Sequence, residues 1–118
     1  MDARLIVVAT LFALMGLLGL VRPRSIGAIV DIGLDAVDAR NEVRAVYGGF
    51  GLAMAAALVV AMRVPGLHDG IVACVALALA GMAFGRLVSA AIERPGARSW
   101  LFAGVETATA SLLVWSLT

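Results

Sequence analysis

Four stretches of this chain are almost continuously apolar for the length of a bilayer crossing: residues 4–21, 42–62, 69–92 and 99–117. A crossing helix needs about 20 residues, with a range of roughly 17–25. Hydrocarbon offers no partner to a bare amide, so only helices and closed barrels cross it. Barrel strands alternate apolar and polar residues, and these stretches do not. The expected fold is therefore all-α, an integral membrane four-helix bundle forming a single domain over residues 1–118. Composition agrees: the chain is 63% hydrophobic and 14% charged, whereas soluble domains run at about 45–50% apolar and 25% charged. With 118 residues, a soluble fold has too little interior for so much apolar surface.

The first three stretches are closed by Arg22-Pro23-Arg24, by Arg63 with Pro65-Gly66, and by Glu93-Arg94-Pro95-Gly96. The first resembles a signal peptide in outline, but it is long and ends in Arg-Pro-Arg rather than a small-x-small cleavage site. It reads as a membrane span. Between the first two spans, Ser25–Arg40 places Ile26, Ile29, Val30, Leu34 and Val37 at helical spacing, with Asp31, Asp35 and Asp38 opposite. That pattern fits a short interfacial helix as well as a solvated connection. Its acidic face is unsuited to anionic lipid.

All nine basic residues are Arg, and with the abundant Ala, Gly, Val and Leu this fits a GC-rich bacterial genome. Arg22, Arg24, Arg40, Arg94 and Arg98 fall on one side of the spans, and Arg4 and Arg63 on the other. The positive-inside rule puts the arginine-rich side in the cytoplasm. The expectation is a multi-pass protein of a bacterial inner membrane with both termini outside. Trp100 and Trp115, about 22 Å apart on a helix, suit anchors at the two interfaces.

Several classes are excluded. A net charge of +1 with no basic stripe gives no nucleic-acid partner. Cys74 is a lone cysteine in an apolar run and reads as a small buried hydrophobe. His68 beside Asp69 reads as an interfacial polar pair, so no metal site is expected. No phosphate loop, H-E-x-x-H or Ser/His/Asp set is present, and no cofactor is implied.

The informative residues are charges carried inside apolar helices. Arg86 lies about 9 Å inside the end of the third span and Glu106 about 10 Å inside the start of the fourth. A short turn, Glu93–Arg98, joins those ends, so the two helices are antiparallel and the two side chains lie level. The second span enters from the same side with Glu42 and Arg44, and Tyr47 one turn deeper. A lone charge at the bilayer centre costs about 2.5–3.5 kcal/mol, so pairing of Arg86 with Glu106 is expected. Arg44 shares a helical face with Gly48, Gly51 and Ala55 and is expected to turn inward, with Glu42 facing a neighbouring helix or the headgroups. Tyr47 fits a hydroxyl cap on the cluster or an interfacial aromatic equally well. Gly48, Gly49, Gly81 and Gly85 are packing candidates. The Gly81–Gly85 G-x-x-x-G match serves either contacts within the bundle or a homodimer.

The run Asn41-Glu42-Val43-Arg44-Ala45-Val46-Tyr47-Gly48-Gly49 resembles the signature of a bacterial four-helix membrane family of unknown function, DUF4345. Gly85-Arg86-Leu87, Glu106, the Leu14–Leu17 run and Arg22-Pro23 are similar to its pattern as well. Nearly the whole chain takes part, except Ser25–Arg40. The resemblance implies an architecture like that of the DoxX group and brings no activity with it. It singles out Glu42, Arg44, Tyr47, Arg86 and Glu106.

The sequence leaves four functions open. A binding module would hold a small hydrophobic or amphiphilic molecule in the bundle, its polar end at the Arg/Glu cluster. A scaffold or assembly protein would use the charges as a static lock. An enzyme acting on a lipid, sterol-like or quinone-like substrate would use Glu106 as proton carrier. A small transporter would need a dimer.

Overall fold

Each apolar stretch forms a helix, and the helices extend beyond the stretches into polar flanks. The computed structural model describes residues 1–118. Its helices are α1 (Ala3–Val21), α2 (Pro23–Val30), α3 (Val37–Arg63), α4 (Pro65–Ile92) and α5 (Ala97–Ser116). There are no strands. By length and composition α1, α3 and α4 can each cross a membrane. That is three helices rather than the expected four. The stretch 99–117 is helical and 20 residues long as α5, but Glu106, Thr107, Thr109 and Ser111 dilute its apolar content.

The chain divides into two compact units, residues 6–59 and residues 1–5 with 60–118. In the first, α1 and α3 meet along a glycine seam. A Cβ added at Gly16 would lie 2.7 Å from the backbone nitrogen of Leu52, and one at Gly19 would lie 2.7 Å from that of Gly48. From the α3 side, a Cβ at Gly51 would meet the Phe12 carbonyl at 3.0 Å. Only glycine permits backbones this close.

The segment Ser25–Arg40 is not one amphipathic helix. Pro23 opens α2, at the position where its missing N–H costs nothing. Asp31 ends the helix in the left-handed conformation, φ 60°. The Ile32 N–H then reaches back to the Gly27 carbonyl at 2.8 Å, a Schellman closure with Asp where Gly is usual. Helix resumes at Val37. Ile26 and Leu34 still reach one core with Val43, flanked by Met15, Leu18, Val30 and Tyr47, whereas Ile29 and Val37 are exposed. Arg40 fixes the intervening loop by donating to the Leu34 and Asp35 carbonyls at 2.9 and 3.0 Å.

Within α3, Arg44–Gly49 is wound as a π-helix. The wider turn occupies the same residues as the Arg-Ala-Val-Tyr-Gly-Gly run. Gly48, in this turn, is buried against Leu20 of α1, at 2.9 Å from an added Cβ.

The second unit is built on the α4–α5 hairpin. Val64 is extended ahead of Pro65, as a residue before proline must be. Pro95 and the extended Glu93 and Gly96 separate the two helices at the other end. The buried side of α4 is Val72, Val75, Ala76, Leu79 and Ala83; that of α5 is Glu106, Thr109, Ala110 and Leu113. Cys74 is exposed, contrary to its reading as a buried hydrophobe. At 100° per residue it falls opposite the Val72–Val75–Leu79 side.

Residues 1–5 attach at the far end of this hairpin. Asp2 accepts the Arg4 backbone N–H at 2.9 Å, the bond of an N-cap, and also takes the Arg4 guanidinium at 3.0 and 3.1 Å. That side-chain hydrogen bond, more than the charge itself, holds the Asp2 carboxyl below its ordinary value. The guanidinium lies 4.6 Å above the Trp115 ring centre and donates to the Trp115 carbonyl at 3.3 Å.

Candidate functional site

The site is built where α4 approaches its C-terminus and α5 leaves its N-terminus. Arg86 lies six residues before the end of α4 and Glu106 nine residues into α5. Antiparallel packing brings them level. Arg86 Nε donates to both Glu106 oxygens, at 2.9 and 2.8 Å, and Nη2 donates to Oε1 at 2.7 Å. A planar guanidinium on a carboxylate is the strongest of the charge-assisted arrangements. The Phe102 ring, one turn before Glu106, lies 5.3 Å from the guanidinium carbon, a cation–π distance.

The pair is unequally covered. The Glu106 side chain is 7% exposed and that of Arg86 31%. The open part of Arg86 faces a recess of about 300 Å³ lined by Met82, Gly85, Arg86, Ser89, Pro95 and Ser99. That volume is at the lower end of the roughly 300–1,000 Å³ typical of ligand sites. A larger groove of about 550 Å³, along Ala80, Phe84, Leu87, Ala110, Val114 and Trp115, has no charged side chain on its wall. Its polar lining is Trp115 with Thr107 and Ser111, whose hydroxyls donate to the Ala103 and Thr107 carbonyls of their own helix.

Glu42, Arg44 and Tyr47 lie in the other compact unit. Glu42 is exposed and makes no ion pair. Arg44 Nε donates to the Leu20 carbonyl at 3.3 Å, one of the last carbonyls of α1, which has no partner inside its own helix. A cation there also suits the helix dipole. Tyr47 is half-buried against the Ile26–Leu34–Val43 core. Gly48 lies in the α1–α3 seam, whereas Gly49 has only an ordinary contact, 3.8 Å from an added Cβ to the Arg44 carbonyl. Added Cβ atoms at Gly81 and Gly85 would meet nothing within 4 Å. His68 Nδ1 lies 2.7 Å from Asp69 Oδ1.

Ser89, Ser99 and Phe102 are the residues that sequence reasoning passed over. The signal was available in helical spacing. Ser89 is one turn after Arg86, Phe102 one turn before Glu106, and Ser99 two turns before it, so each shares a face with its charged neighbour.

The family model described as a domain of unknown function, DUF4345, matches residues 2–117. The chain belongs to the DUF4345 family. The match takes in the π-helical Arg44–Gly49 turn, Arg86 and Glu106. No curated protein and no solved structure is a match.

Proposed function

We propose that this DUF4345 protein is a multi-pass protein of a bacterial inner membrane that holds a small amphiphile in the recess beside Arg86. In this reading α5 is a fourth crossing beside α1, α3 and α4, and the five-arginine side faces the cytoplasm. The polar atoms of α5 support it. Thr107, Thr109 and Ser111 return their hydroxyls to carbonyls of their own helix at 2.7–2.8 Å, and Glu106 is neutralised by Arg86. Little polar capacity remains to be penalised by hydrocarbon.

The observation that carries the binding reading is the asymmetry of the ion pair. Glu106 is enclosed, while Arg86 keeps nearly a third of its side-chain surface on the wall of a cavity whose other residues are small, apolar or hydroxylic. Native mass spectrometry of protein extracted in mild detergent tests it. The parent chain is expected to carry a small-molecule adduct that Ser99→Phe, which fills the recess while keeping both Arg86 and Glu106, lacks. A parent with no adduct and no gain in melting temperature from added methyl decanoate refutes the reading.

The static lock is the second reading, favoured by the occupation of both Glu106 oxygens. It predicts the same stability with or without added amphiphile. An enzyme with Glu106 as proton carrier would first have to break three hydrogen bonds to Arg86. A dimeric transporter needs a homodimer, which Gly81 and Gly85 could serve because nothing in the chain covers them.

A further inference from the structure

We propose that the recess selects a neutral hydrogen-bonding head group, a ketone, ester, amide or alcohol, and rejects an anion. This rests on the binding reading above and specifies its ligand class.

Charge is the first argument. An isolated arginine in an apolar wall calls for an anionic guest, but Arg86 already has its counter-ion, with three N–O distances of 2.7–2.9 Å. The pair sums to zero, and no other charged residue lines the recess. An anion placed at the open edge of Arg86 would lie within a few ångströms of the Glu106 carboxylate. At that range, away from bulk water, repulsion between like charges offsets the attraction of the guanidinium. A neutral guest avoids the repulsion.

The serines are the second argument. The unit formed by residues 1–5 and 60–118 has seven hydroxyl side chains other than phenols. Those of Thr107, Thr109, Ser111, Ser116 and Thr118 are all tied to backbone carbonyls. Those of Ser89 and Ser99 are not, and both of these residues line the recess. A free hydroxyl donates one hydrogen bond and accepts others, so two of them beside a neutralised guanidinium suit a carbonyl or alcohol. Met82, Gly85 and Pro95 leave the remaining wall apolar for the body of the guest.

The test compares methyl decanoate with decanoate at pH 7, binding to the full chain in nanodiscs by native mass spectrometry. The ester is expected to bind at least roughly tenfold more tightly. Glu106→Gln removes the carboxylate charge beside Arg86 and should move the preference toward decanoate by a similar factor. Ser89→Ala with Ser99→Ala leaves the ion pair intact and should weaken the ester severalfold, which keeps the idea testable if Glu106→Gln does not fold. Tighter binding of decanoate to the parent chain, or an ester preference untouched by the serine changes, overturns the inference and leaves the binding reading standing. Binding of neither compound overturns the binding reading, and the inference falls with it.

Discussion

Gly19→Ala is the sharpest test of the α1–α3 seam. The new methyl carbon would sit 2.7 Å from the Gly48 nitrogen, 3.0 Å from its Cα and 3.2 Å from the Tyr47 carbonyl carbon. All three are backbone atoms, so no side chain can swing away. Reaching ordinary contact near 3.5 Å requires the backbones to part by about 0.8 Å. The Arg44–Leu20 hydrogen bond, 3.3 Å long at present, would then exceed the distance at which a hydrogen bond exists. Overpacking costs about 1–3 kcal/mol and loss of the cap up to about 1 kcal/mol. Alanine's better helix propensity returns about 1 kcal/mol. The expected net loss is therefore between about 0 and 3 kcal/mol. Gly81→Ala is the control: nothing lies within 4 Å of its added Cβ, so propensity alone should stabilise it by about 0.5–1 kcal/mol. Reversible unfolding in mixed micelles, followed by far-ultraviolet circular dichroism, measures both. If Gly19→Ala proves as stable as Gly81→Ala, the seam is not where the structure puts it.

Two further outcomes follow from the second unit. Arg86→Leu alone leaves the enclosed Glu106 carboxylate unpaired and should cost about 3–5 kcal/mol, whereas Arg86→Leu with Glu106→Leu should fall within about 1 kcal/mol of the parent; additive single effects in the same unfolding assay would contradict the pairing. The Asp2 carboxyl titrates below its ordinary value because of its bond to Arg4, so its contribution is fully present above that ordinary value and is lost as pH falls through the lowered one. In a Trp100→Phe background, Trp115 emission should therefore hold steady down to about pH 4 and change only in stronger acid, and Arg4→Gln should abolish the change; a transition nearer neutrality would rule out this cause.

How much was legible depends on which distances matter. That Arg86 and Glu106 lie level follows from helix rise and the short Glu93–Gly96 break, both local properties of the chain. Apolarity puts the starts of α3 and α4 at 42 and 69, later than Val37 and Pro65, because it marks the greasy part of a helix and not its polar first turns. The π-helical turn at Arg44–Gly49 left no periodic trace, since one widened turn barely shifts the spacing of apolar residues. The break at Asp31 was hidden for a related reason: Ile26 and Leu34 keep helical spacing yet reach the same core by way of a loop.

By itself the sequence determined that this chain forms long apolar helices, where they stop, and that an acid and an arginine share a depth on adjacent ones. Rise, periodicity and the backbone's need for internal hydrogen bonds fix all of that locally. Tertiary structure alone decided what each face meets. Gly19 and Gly81 are the same residue in similarly apolar helices, yet one lies against the backbone of α3 and the other against open space. Arg44 caps a carbonyl 24 positions away that no spacing rule indicates. A glycine has no side chain to declare its orientation, and a free carbonyl looks like any other until a distant segment folds beside it.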